Sequence, residues 1–318
     1  MVRTTPPRPF DITDVFPELR EHRGTTTRLH PRTGTPTSAD SSVGGPLLWP
    51  ADEPWPMCSD GDGHFLDKLM KPAAVRRSRE IYEAAEHRSS FTDEERAELA
   101  SLEVPEPEEL VHRPVPLIPV AQVYRRDVPG FIGPDDTDLF QVLWCPLGHA
   151  DEDAPKIELF WRHTADITRP LQTAPEPPAV EEAYLPNACV VHPEHFVDYR
   201  YFEMLPRDLQ ARISAWEKET GGPDYSKWSA VPGWKVGGFP SFRMSGPISM
   251  TCETCDTEMS LLFAVGHGEW DEAGYWCPLE DPVDLSDPLT GIFIGRGFDW
   301  YILHCPVSPD HPFSPMMQ

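Results

Sequence analysis

Two pairs of soft ligands in the C-terminal quarter constrain this chain more than any other feature. Cys252-Glu253-Thr254-Cys255 is a Cys-x-x-Cys turn, and Cys305 is followed at short range by His311. Brought together, the pairs supply the four tetrahedral N and S ligands that Zn²⁺ prefers, so the 49 residues between them must fold back on themselves. Cys252, Cys255, Cys305 and His311 are therefore the expected metal ligands, with Cys277, His304 or His267 as substitutes for one of them. Four protein ligands close the shell, which favours a structural ion over a catalytic one.

Cysteine usage points the same way. Seven cysteines, an odd number, in a chain whose first 30 residues carry no secretory signal pattern, argue for reduced thiols rather than a disulfide framework. No run of 18 apolar residues occurs, so a soluble, cytoplasmic protein is expected. At 318 residues the chain can bury a core as one large domain or two small ones. Its 38 Pro and 21 Gly stay below the roughly 25–30% of a low-complexity sequence and imply short elements joined by many turns.

Charge narrows the class of partner. With 52 acidic and 27 basic residues the net charge is −25, which repels phosphate backbones and anionic lipid. Nucleic-acid and membrane-surface binding are disfavoured, and a basic protein is the favoured partner.

Along the chain, Met1 to Pro9 reads as a flexible tail. Asp11 to Arg20 can form a short helix capped by Asp11 or Thr13, and Thr25 to Leu29 a strand, the tail and short helix making up residues 1–24. The Pro-rich stretch from Ser41 to Pro56 cannot be a central strand, so Trp49 and Trp55 are expected to anchor it to a core rather than line a groove. Pro72 to Arg88 and Thr92 to Leu102 read as a helical hairpin, inserted over residues 72–104 and closed by Pro105 to Pro116. Thr92 and Glu95 have capping-box spacing, and Arg76, Arg77 and Arg79 are expected to face the acidic second helix. Strands are expected over Val115 to Val123, Asp138 to Trp144 and Lys156 to Trp161.

Leu171 to Val180 reads as a linker opening a 171–233 segment. Within it, Pro206 to Thr220 is an amphipathic helix with Leu205, Leu209, Ile213 and Trp216 on one face, ended by Gly221-Gly222. Further strands are expected at Met259 to Val265, Gly291 to Ile294 and Trp300 to His304. His192-Pro193-Glu194-His195 reads as a capped turn rather than a ligand cluster.

Comparing residues 25–170 with 234–318 exposes a repeated order of motifs. Ser42-Val43-Gly44-Gly45-Pro46 returns as Lys235-Val236-Gly237-Gly238-Phe239-Pro240. Leu117 to Val123 returns loosely as Met259 to Val265, and Phe140 to Pro146 as Trp300 to Pro306, followed by His149 or His311. Val43 to Cys145 spans 102 positions and Val236 to Cys305 spans 69, an excess about the size of the helical hairpin. Duplication is the economical reading. Paired glycines allow positive φ and close backbone approach. They carry neither a phosphate-loop Lys-Ser/Thr nor a dinucleotide fingerprint.

The first half lacks a Cys-x-x-Cys before its strand. Cys145 and His149 have only Cys58 and His64 as helpers, so buried cysteine rather than a second metal is expected there, and Cys189 also reads as a core residue. Neither Gly-x-Ser-x-Gly nor His-Glu-x-x-His occurs, and no carboxylate spacing singles out an acid/base pair.

These motifs resemble a known family. Ser41 to Pro50 with the Gln122 strand, and Lys235 to Pro240 with Cys252-x-x-Cys255 and Met259 to Phe263, are similar to the YwqG-like bacterial proteins of unknown function, over roughly residues 25 to 311. The second half also resembles the eukaryotic programmed-cell-death-2 family, which implies a duplicated β-rich fold with zinc and work as a dedicated chaperone for a ribosomal protein. Here the first half has no Cys-x-x-Cys, and Phe239-Pro240-Ser241-Phe242 lacks the Trp usual after the turn, so a shared fold is expected rather than a shared client.

The expectation is thus an α+β protein with mostly antiparallel sheets in two repeated halves, one structural Zn²⁺ and a protein partner, as chaperone, adaptor or immunity-type protein. The competing reading is a metal-dependent hydrolase with an open site, for instance Cys252, Cys255 and Cys305 plus water.

Overall fold

Strict alternation along two strands decides how the layers stack. In Leu139–Trp144, Phe140, Val142 and Trp144 enter one core, whereas Leu143 and the following Cys145 enter another. In Trp300–His304, Trp300 and Ile302 enter that same first core, while Tyr301, Leu303 and the following Cys305 enter a third. Strands buried on both faces need a layer on each side. The shared core therefore lies between two sheets, with Phe140 and Phe263 5.9 Å apart and Trp144 and Trp300 5.5 Å apart.

The computed structural model describes residues 2–59, 63–65, 69–86, 88, 90–102, 113–149, 155–221, 224–242, 246–270, 274–282 and 289–318. Strands of the two large sheets are β1 (Arg23–Arg28), β2 (Arg32–Thr33), β3 (Ser42–Val43), β4 (Ile118–Tyr124), β5 (Leu139–Trp144), β6 (Ile157–Arg162), β7 (Cys189–Val190), β8 (Glu194–Tyr199), β9 (Lys235–Gly237), β10 (Ser260–Val265), β11 (Trp300–His304) and β12 (Ser314–Met317). The first sheet runs β6-β5-β4-β3-β7-β2 and the second β8-β1-β9-β10-β11-β12, with antiparallel pairing throughout. Helices α1 (Ile12–Val15), α2 (Pro72–Ala85), α3 (Asp93–Leu102), α4 (Arg207–Thr220) and α5 (Tyr225–Trp228) lie outside the sheets. The expected α+β class holds.

Both sheets have the same strand order about the strand that carries the Gly-Gly turn. On one side of β3 lie β4, β5 and β6, and on one side of β9 lie β10, β11 and β12. On the other side each sheet takes its next strand from the far part of the chain, β7 beside β3 and β1 beside β9. The chain therefore crosses between sheets twice, and the division into residues 25–170 and 234–318 is bridged by these two strands. Leu29 N donates to Trp234 O at 2.8 Å and His192 N to Leu29 O at 2.7 Å where the crossings meet.

Several local expectations change. Gly291 to Ile294 is not a strand: it opens on Gly291 at φ 69°, is followed by Gly295 and Gly297 at 58° and 86°, and its backbone contacts include a Phe293 N to Ala183 O bond of 3.0 Å and an Ile294–Phe298 bridge. Glu194 and His195 open strand β8 instead of sitting in a turn. The N-terminal tail is docked: Arg3 pairs with Asp281 at 2.8 Å, Thr5 N donates to Glu194 at 2.9 Å, and Arg8 Nε donates to Trp228 O at 2.8 Å. Arg77 meets Glu98 across the hairpin at 2.7 Å, but Arg79 turns inward to Asn187 and the Glu182 and Gly291 carbonyls.

Other readings stand. Thr92 and Glu95 exchange capping bonds of 2.9 and 3.2 Å. Helix α4 buries Leu209 and Ile213 and stops at Gly221, φ 61°. Trp49 is buried, and the Trp55 indole donates to Leu117 O at 2.9 Å. Gly222 and residues 103–112, on which the end of α4 and the exit of the hairpin were read, lie outside the described residues.

Close approach explains the glycines of the second turn. Gly237 and Gly238 have φ of 69° and 81°, and a Cβ on Gly238 would lie 2.3 Å from Asp198 Oδ2. That carboxylate is fully buried and accepts from Lys235 Nζ, Phe239 N and Val231 N, each at 2.9 Å, and from Tyr199 N at 3.0 Å. The anion at this turn is the protein's own. Burial pushes the Lys235 ammonium down and Asp198 counters it. Asp198→Ala would strand a buried ammonium, at an expected cost of about 3–5 kcal/mol in urea unfolding. A loss below about 1 kcal/mol would show that the pair does not organise the turn.

Candidate metal centres

The Cys252-x-x-Cys255 segment forms a tight turn just upstream of β10. Cys252 N donates to Thr257 O at 2.9 Å, Asp256 N and Cys255 N return to Cys252 O at 2.8 and 3.3 Å, and Asp256 takes a φ of 55°. Cys305 leaves the end of β11, and His311 N donates to Ser308 O at 3.3 Å in the following turn. Because β10 and β11 are adjacent, with Ser260 opposite His304, the two turns meet at one end of the second sheet.

Cys252, Cys255, Cys305 and His311 come together there, their ligand atoms all within 4.8 Å of one another. Cys255 Sγ lies 3.5 Å from Cys305 Sγ, and His311 Nδ1 lies 3.3 Å from Cys305 Sγ and 3.5 Å from Cys252 Sγ. A zinc tetrahedron built on Zn–S of about 2.3 Å and Zn–N of about 2.0–2.1 Å has edges of about 3.8 Å between sulfurs and about 3.5 Å from sulfur to nitrogen. The donor set and its spacings fit a zinc ion. Cys252 and Cys305 are buried, while Cys255 and His311 are half-buried.

Local hydrogen bonds favour thiolate at the outer position. Hydrogen bonding with the Thr257 side chain and backbone holds the Cys255 thiol down to about 6. Burial pushes the Cys305 thiol up, countered in part by the Val307 amide 3.4 Å from its sulfur.

The proposed substitutes are elsewhere. Cys277 Sγ points to the Pro278 and Asp281 carbonyls at 3.6 Å, His304 Nδ1 turns to Cys305 O at 3.0 Å, and the His267 ring meets Phe293 edge to face at 4.9 Å. Cys189 is buried beside Val43 and burial pushes its thiol up to about 12, as for an inert core cysteine.

A second cluster appears where the sequence suggested plain burial. Cys58, His64, Cys145 and His149 are all buried, and their ligand atoms also lie within 4.8 Å of one another. His64 Nε2 is 3.4 Å from Cys58 Sγ and 3.5 Å from Cys145 Sγ, and His149 Nε2 is 3.8 Å from Cys58 Sγ. A short antiparallel pair, with His64 opposite His149, holds the two imidazoles together. The four residues are those named from the sequence, where the missing Cys-x-x-Cys before the strand favoured buried cysteine over a metal. The legible signal was Cys58-x5-His64 with Cys145-x3-His149, a Cys₂His₂ set split by the helical hairpin.

Two clefts among the described residues lie apart from both clusters. A groove beside the second sheet is lined by Met204, Met250, Met259, Met316, Phe239 and Phe242, with the Arg200–Glu258 ion pair of 2.9 Å at its side. A cleft of about 300 Å³ is lined by Thr25, Thr27, His195, Ser260 and His304 among others. None of the eight clustered residues lines either one. Among the described residues no helix is long and apolar enough to cross a membrane. Compared with models of known protein families and with curated proteins, the chain matches none.

The second cluster in chain order gives a sharp expectation. Cys252→Ser lowers bound zinc by about one ion per chain in metal analysis of the purified protein, and Cys277→Ser leaves it unchanged. Full zinc in the Cys252 variant would mean that this cluster does not hold the ion.

Proposed function

We propose that this is a non-enzymatic, zinc-stabilised cytoplasmic protein that binds a basic protein partner, as a chaperone, adaptor or immunity-type protein. The observation that carries the first part is the closed donor set at Cys252, Cys255, Cys305 and His311. A hydrolytic zinc needs one position for water. His311 stands as a fourth protein donor that can fill that position, which supports a closed shell, and the two clefts are lined by other residues.

Charge supports the partner class. Even if every Lys and Arg paired with one carboxylate, 25 carboxylates would remain. Such a surface attracts a cationic protein and repels nucleic acid. The resemblance to YwqG-like and programmed-cell-death-2 proteins, which we retain as a proposal, is in keeping with a zinc-bearing β fold that acts by binding.

Affinity capture from native lysate at about 0.15 M and about 0.5 M salt tests the reading. A stoichiometric basic polypeptide, held at the lower salt and released at the higher, is the expected result. Absence of any stoichiometric protein at the lower salt overturns it.

A further inference from the structure

We propose that Cys58, His64, Cys145 and His149 form a second zinc site, so that the folded chain holds two ions. Donor chemistry is the first support. Two cysteines and two histidines, each under a tenth exposed, converge with sulfur–nitrogen spacings of 3.4, 3.5 and 3.8 Å, near the roughly 3.5 Å edge of a zinc tetrahedron. One tetrahedral cation can take all four as ligands.

Backbone register is the second support, and it is independent of side-chain positions. Leu117 N donates to Pro56 O at 3.1 Å in the first half, and Met259 N to Met250 O at 2.9 Å in the second. Met57 then pairs with Pro116, as Thr251 bridges Glu258, and the next residues are Cys58 and Cys252. Each following strand pair has an irregularity at one place, between Pro119 and Ala121 and between Leu261 and Phe263. Ile118 faces Trp144 and Ser260 faces His304, and one residue later come Cys145 and Cys305. Cys58 thus occupies the station of Cys252, and Cys145 that of Cys305.

The remaining ligands arrive by different spacings. His64 stands six residues after Cys58 where Cys255 stands three after Cys252, and His149 four after Cys145 where His311 stands six after Cys305. The helical hairpin enters after His64, whereas in the second half the chain passes from Cys255 almost directly into β10. The ion at Cys58 would therefore lie at the root of the insertion, where Cys58 also pairs with the returning Val115.

Native mass spectrometry of the full chain, expressed with zinc and washed with a weak chelator, tests this directly. The mass shift expected is two zinc ions in the wild type, one in Cys58→Ser, one in Cys252→Ser and none in the double variant. Cobalt loading of the same proteins should give tetrahedral d–d bands in both single variants, with the weaker thiolate charge-transfer band in Cys252→Ser, which keeps only the Cys₂His₂ site. One ion in the wild type, retained in Cys58→Ser and lost from Cys252→Ser, overturns the second site and leaves the first intact. Should Cys58→Ser fail to fold, wild-type stoichiometry decides alone: two ions support the site and one ion refutes it. The outcome is separate from the partner reading, which metal counts do not touch.

Discussion

A cysteine set one residue beyond the end of a doubly buried strand is the constraint on which this molecule turns. Trp144 and His304 end strands whose alternate side chains serve two different cores, so the parity of each strand fixes the face on which Cys145 and Cys305 emerge. In both cases it is the face away from the shared core. In the second sheet the Cys252 and Cys255 turn arrives from just upstream of β10, and in the first Cys58 is brought to the foot of β4 by pairing with Val115 after the helical hairpin, so β-sheet register brings the sulfurs together with no need for a dedicated domain.

Strand exchange complements this arrangement. Strand β1 lies beside β9, and β7 lies beside β3, so neither sheet is completed by contiguous chain. The crossing brings Asp198 on β8 under the Gly237-Gly238 turn, where it accepts from Lys235 and three backbone amides. In the first sheet the corresponding region uses a neutral group, Gln122, whose side chain accepts from Leu48 N and donates to Ser38 O and Asp40 O. A buried ion pair thus supports the Gly-Gly turn of the second sheet, whereas the segment after the first Gly-Gly turn is held by a buried amide on the neighbouring strand, at the register of Ala264.

Much of this was legible in the sequence, and the exceptions have physical causes. Strands with strong alternation, such as Leu139–Trp144 and Trp300–His304, and the capped helices near Thr92 and Pro206 stand where they were read. Glycines at Gly291, Gly295 and Gly297 broke a run whose apolar residues resembled a strand, because periodicity does not report positive φ. Glu194 was hidden in a proline-containing turn motif although it pairs with Arg28 across β1 and β8 and holds His30 at 3.1 Å. Spacing put forward Cys252, Cys255, Cys305 and His311, with Cys277, His304 or His267 as substitutes for one of them, and the fold brings the first four together. It also named Cys58, His64, Cys145 and His149 but favoured plain burial for them, because the helical hairpin separates His64 from the strand that its turn precedes.

The central claim, that each sheet is closed at one end by a tetrahedral ion, is tested most directly by X-ray absorption at the zinc edge of the purified protein. Five cysteines and three histidines shared between two ions should average about 2.5 sulfurs at about 2.3 Å and about 1.5 nitrogens at about 2.0–2.1 Å per zinc. A shell dominated by oxygen and nitrogen, or one carrying three sulfurs per zinc, would contradict it.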